Sequence, residues 1–246
     1  MPQFVRSGEK PLPKFMTKFV PERFFGATLQ GYVKFGTLQE YNSGEEALEA
    51  RLRDNQDGVW SEWWRGNVEN FSGSMSELKF ANVTFAGDGN AVKINHVFHA
   101  FAFCATKGPY DRAVHREIIN AGNESLTHYV VFDTRLFLGA AGILFRDEPD
   151  RRMNIIAGEI EYLKGPKDSE RSTDQVRQGI EPRAAEAYMR AAFSKSAIFE
   201  HEREFRITAI RNGAPLPEPP LIVNALMGAA ASAFREAATT SGCLTR

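Results

Sequence analysis

The stretch FEHEREFRI, residues 199–207, carries three glutamates, two arginines and a histidine between phenylalanines and an isoleucine. Continued as FEHEREFRITAI (199–210), it alternates and predicts a strand. Side chains alternate across a strand, so Phe199, His201, Arg203, Phe205 and Ile207 share one side. Glu200, Glu202, Glu204, Arg206 and Thr208 share the other. A row of like charges repels and costs stability unless something is gained. Two accounts stay open: a solvated face with a Glu–Arg pair, worth little, or a carboxylate pair in a cleft. Such a pair stabilises a developing cation or activates a hydroxyl.

The chain around this stretch has 246 residues, 43% hydrophobic and 25% charged, which suits one globular domain. Nineteen phenylalanines predict an aromatic core. A net charge of −1 argues against a surface broadly built for nucleic acid. The two cysteines, Cys104 and Cys243, make no disulfide framework, which fits a reducing, cytoplasmic compartment. The opening MPQFVRSGEKPLPKF holds no signal-peptide run, and no stretch nears the roughly 20 apolar residues a membrane span needs, so no membrane association is expected.

Residues 1–13, with three prolines, predict an extended arm. KFMTKFV (14–20) alternates as a strand, PERFFGATLQG (21–31) as a helix stopped by glycine, and YVKFGTLQEY (32–41) as a strand. EEALEARLR predicts an exposed helix. Trp60, Trp63 and Trp64 have helical spacing and suggest a core face. HVFHAFAFCA, from 96 to 105, is a long apolar run, hence a central strand. Residues 111–124 suit a helix, THYVVFDTRLF (127–137) a strand entering a short helix, and NIIAGEIEYLK (154–164) one strand. GPKDSERSTDQ (165–175) suits a polar loop, IEPRAAEAYMRAAFSK (180–195) a helix, and 217–246 a C-terminal helix packed on the body. Strands that do not alternate regularly with helices predict α+β, a split or curved sheet with peripheral helices.

Dinucleotide, phosphate-loop and zinc-protease fingerprints are absent. His96 and His99 face opposite sides of a strand, so no metal pair is expected. His115 and His128 lack acidic partners.

Phe199, Glu202, Glu204 and Arg206, with Lys195 before them, resemble the K…W-x-x-E-x-E-x-R ending of an uncharacterised family of bacterial and phage proteins. KFMTKFV, YVKFGTLQEYN, FAFCATK, THYVVFD and GEIEYLK fall in that family's order. The same order is similar to the ADP-ribosyltransferase superfamily, a split β-sandwich around an NAD cleft. The resemblance implies an enzyme that cleaves NAD, its substrate, and passes ADP-ribose to a protein or nucleic acid, in a toxin or phage-defence setting. It implies Glu204 on the nicotinamide-ribose hydroxyl and Glu202 orienting the acceptor. Lys18 (or Lys14), Thr106, Tyr32 and Arg206 would bind the dinucleotide, and Phe35, Tyr41 or Tyr110 are further stacking candidates. The alternative is a non-catalytic binding or sensor domain, in which Arg206 and the glutamates tie strand to helix. Catalytic acids should line an open cleft beside Lys18 and Thr106, whereas a structural network should be enclosed and paired. A Mg²⁺ nuclease would need Asp133 or Glu159 to join the pair.

Overall fold

The computed structural model describes residues 4–6, 11–38, 58–65, 91–97, 100–146, 153–165, 168–172, 184–211, 223–224 and 229–244. Strand β6 (Phe101–Lys107) lies at the centre of the main sheet, as its apolar run predicts. The run preceding it is not one strand. Ala91–Val97 forms β5, which pairs in a separate three-stranded sheet with β4 (Val59–Arg65). His96 lies in β5 and His99 outside the described residues.

Along the main sheet the order is β1 (Phe4–Arg6), β8 (Met153–Glu159), β12 (Glu204–Arg211), β6, β2 (Phe15–Val20), β7 (His128–Asp133) and β14 (Ala238–Cys243). β1, within the segment expected as an arm, thus joins the sheet edge, parallel to β8. Strand β3 (Lys34–Thr37) pairs with β6 and carries β13 (Val223–Asn224).

β12 runs beside β6 from Glu204↔Thr106 to Ala209↔Phe101. The opposite edge of β6 is therefore shared. β2 takes one end, at Thr17↔Thr106 and Met16↔Lys107, and β3 the other, at Gly36↔Ala102 and Thr37↔Phe101. Phe103, Cys104 and Ala105 lie between these two pairings, where the sheet splits.

Alternation decides what each face buries. Phe101, Phe103, Ala105, Phe205, Ile207 and Ala209 point into one core. There they meet α3 (Thr134–Arg146) through Phe137 and Phe145, and α5 (Ala229–Ala237) through Phe234. Phe35, fully buried, touches the rings of Phe103, Phe137, Phe145 and Phe234 at 5.1–6.3 Å, tilted or edge-on as aromatic quadrupoles favour. Ala102, Cys104 and Ile210 face the other way, against α4 (Ala184–Phe193), whose Ala192 and Phe193 are buried with them. Both faces of β12 are thus covered.

Helix α1 (Glu22–Leu29) is followed by Gly31 in the left-handed region, φ 88°, the predicted glycine stop. Asp111 caps α2 (Arg112–Asn120), its Oδ1 accepting from Ala113 N–H at 2.8 Å.

Several expectations are corrected. The tryptophan segment is a strand, so its spacing of three and four is not a helix face, although Trp60 is buried beside Ala191 as a core residue. The polar run 165–175 contains β10 (Asp168–Ser172), parallel to β4; an edge strand needs no apolar alternation. Residues 154–164 divide into β8 and β9 (Glu161–Leu163), which pairs with β11 (Ser194–Ser196). α3 is longer than the predicted short helix. The C-terminal helix ends at Ala237 and the chain returns as β14, where Thr239 and Thr240 favour strand over helix. The helix predicted for EEALEARLR and the candidate Tyr41 lie outside the described residues.

Candidate functional site

The predicted strand 199–210 begins only at Glu204. Ala197–Glu202 is a 3₁₀ turn, and Arg203, at φ 46°, is left-handed. That residue reverses the local path, since a left-handed position cannot continue an extended strand. The row of three glutamates therefore does not exist. Glu200 is exposed, Glu202 sits on the rim with 19% of its side chain accessible, and Glu204 is enclosed at 4%.

Glu204 lies where strand alternation aims it, at α4 and the 3₁₀ turn. Its Oε1 accepts from Arg206 Nε at 2.7 Å and its Oε2 from Lys195 Nζ at 3.2 Å. Lys195 also donates to Glu202 Oε2 at 2.6 Å, and its ammonium lies 4.6 Å from the centre of the Phe199 ring. Arg206, with no accessible surface, donates through its Nη1 to the Ala192 carbonyl at 2.8 Å. Carbonyls in the last turn of a helix lack intrahelical partners, and a cation there meets the negative end of the dipole. Arg206 thus caps α4 from the sheet. The backbone N–H of Glu204 donates to the Tyr162 hydroxyl at 2.7 Å, tying β9 to the same point.

Burial alone would raise the Glu204 carboxyl, but Arg206 and then Lys195 more than offset it and hold it well below the usual carboxylate range. Burial pushes the Glu202 carboxyl up in spite of Lys195, and the Glu204 charge acts in the same direction.

The other named residues divide. Thr106 stands opposite Glu204 in register, and its hydroxyl donates to the Glu202 carbonyl at 3.0 Å, pinning the 3₁₀ turn. Lys18 shares a face of β2 with Met16; its Nζ crosses the split to the Cys104 carbonyl at 2.7 Å and lies 5.3 Å from the Phe103 ring. Lys14, the other first-strand candidate, is exposed. Tyr32 is half-buried on the turn between α1 and β3 and takes no part in these contacts. Phe35 is sealed in the core, and Tyr110 stacks on Tyr129 at 3.6 Å. Asp133 spends its carboxylate capping α3, and Glu159 pairs with Lys107 at 2.7 Å, so neither joins the acids. His115 is buried, stacked on Phe19 with Nε2 at the Leu126 carbonyl.

Lys195 and Tyr162 are the participants that alternation along residues 199–210 does not reveal. Lys195 is legible only as the lysine of the closing motif, and Tyr162 only as the tyrosine of the GEIEYLK segment that the family resemblance covers. Among the described residues no helix is long and apolar enough to cross a membrane, and no group of three or more His, Cys, Asp or Glu could hold a metal ion. No family, curated protein or solved structure matches the chain.

Proposed function

We propose that this chain is a non-catalytic binding or sensor domain, and that its closing motif Lys195…Phe199…Glu202…Glu204…Arg206 is a clamp that fastens α4 and the 3₁₀ turn to the sheet. The setting, bacterial defence or phage biology, comes from the motif resemblance alone. One observation supports the clamp above the rest: both carboxylate oxygens of Glu204 are occupied by cations inside a closed cluster. A carboxylate that must receive a ribose hydroxyl needs an oxygen lone pair facing a cleft, and the Glu204 side chain is 4% accessible.

One observation favours NAD-dependent ADP-ribosyl transfer to a macromolecule as a second reading. β12, β6 and β2 are neighbours in the sheet, so the acids, Thr106 and Lys18 gather around one split. In that case Glu202, on the rim, is the acid closer to solvent, and its charge would favour the cation that builds on the ribose as the nicotinamide bond breaks.

Incubation of the protein with NAD separates the two. The clamp predicts nicotinamide release no faster than in protein-free buffer, and no heat of NAD binding by calorimetry. Release that disappears in Glu202→Gln, with the fold intact by circular dichroism, would overturn it in favour of the enzyme.

A further inference from the structure

Among the described residues, Lys195 bridges Glu202 and Glu204 and Arg206 pairs with Glu204, and Lys18 is a further cation that feels both carboxylates. Its contacts are a neutral carbonyl and the face of an aromatic ring. It stands where β2 and β3 part along the edge of β6, partly accessible rather than sealed. We propose that Lys18 is a nucleophilic amine that condenses with a small aldehyde at the split edge of β6.

A lysine placed this way differs from one on the surface. Water is largely replaced around the ammonium, and a neutral carbonyl compensates for less of that loss than a carboxylate would. Burial is the largest influence on Lys18 and holds its amine below the usual lysine range, while Cys104, Glu204 and Glu202 pull the other way without prevailing. Lysines desolvated in apolar surroundings are the ones that form Schiff bases. The 2.7 Å hydrogen bond to the Cys104 carbonyl uses one N–H and holds the nitrogen in place. After one proton is lost to solvent, the nitrogen retains a lone pair for attack.

The step balances. The Lys18 lone pair adds to the aldehyde carbon, and the carbonyl π electrons move to oxygen, which takes up a proton. The resulting carbinolamine then loses its hydroxyl and an N-bound proton as water. The product is an imine, formed with no oxidant or reductant. This chemistry is independent of whether the acids act on NAD.

The test is reductive alkylation of the wild-type protein at pH 7 with propionaldehyde and cyanoborohydride, followed by peptide mass mapping over time. Lys18 should be alkylated severalfold faster than the exposed Lys14, Lys34 and Lys107, since an amine held below the usual lysine range is less protonated at pH 7 than theirs. Its rate should also level off at a lower pH than theirs, and Lys18→Arg should lose that label while the other three keep theirs. Labelling of Lys18 at the rate of the exposed lysines or below it, or with their pH profile, would overturn the proposal. The decisive comparison is made within the wild-type chain, so a variant that folds poorly does not blur it.

Discussion

Glu204→Gln should lower the unfolding free energy by about 3–5 kcal/mol, the cost of removing one partner from an enclosed ion pair. The glutamine keeps the shape but not the charge. Arg206, with no accessible surface, would then lose the carboxylate at its Nε, while Lys195 keeps Glu202 on the rim. Urea unfolding read by circular dichroism measures the loss as a lower midpoint at unchanged slope.

The same substitution has a pH signature. The Glu204 carboxyl is held below its ordinary value of 4.5 in the folded chain. Its stabilisation is therefore fully present above pH 4.5 and is lost as the pH falls from there toward the folded value. The gap between wild type and Glu204→Gln should be widest at neutral pH and shrink below 4.5. Buried His115, whose imidazole burial holds below 6.5, also loses stability in acid, but equally in both proteins, so it drops out of the difference, which reports Glu204 together with the Glu202 carboxyl that its charge pushes up.

Gly31→Ala should cost a comparable amount for an unrelated reason. At φ 88° an alanine pays about 1–2 kcal/mol for the left-handed backbone. Its methyl would also lie 2.0 Å from the Ala231 carbonyl oxygen and 3.1 Å from the Arg235 nitrogen. Those two atoms belong to residues four apart in α5, the spacing of a helical hydrogen bond. The collision is with backbone, so α5 must move away from the end of α1, and overpacking of that kind adds about 1–3 kcal/mol. A total near 2–5 kcal/mol should appear as a thermal midpoint many degrees lower. An unchanged midpoint would mean that α5 does not pack against Gly31.

How far the sequence reached is clearest along residues 199–210. Phe205, Ile207 and Ala209 do alternate with Glu204, Arg206 and Thr208, because an apolar face and a polar face at period two leave few other choices. The error lay just before them. Arg203 adopts a conformation usually signalled by glycine or asparagine, so the charged letters on either side read as more strand. The break between β5 and β6 is hidden in the same way, by an apolar run without glycine or proline. The helix stopped at Gly31 and the central place of β6 carry unambiguous local signals, and each is where the sequence puts it.

For the site, residue types were legible and enclosure was not. Motif resemblance picked out Lys195, Glu202, Glu204, Arg206 and Thr106, and these do meet. Whether they meet in an open cleft depends on α4 lying over that face of β12, and on Arg206 reaching the Ala192 carbonyl. Packing between distant elements of this kind leaves no mark in residue spacing. Lys18 was expected among the dinucleotide contacts, and its place in the split of the sheet follows from how β2 and β3 divide one edge of β6.

A double-mutant cycle on Glu204→Leu and Arg206→Met tests the clamp most directly. If the two side chains hold α4 to the sheet as a unit, Glu204→Leu strands the buried Arg206 charge, Arg206→Met leaves Glu204 with Lys195 alone, and the double variant recovers much of the loss, with a coupling of about 2–3 kcal/mol in urea unfolding. Losses that simply add, with coupling under about 0.5 kcal/mol, would contradict it.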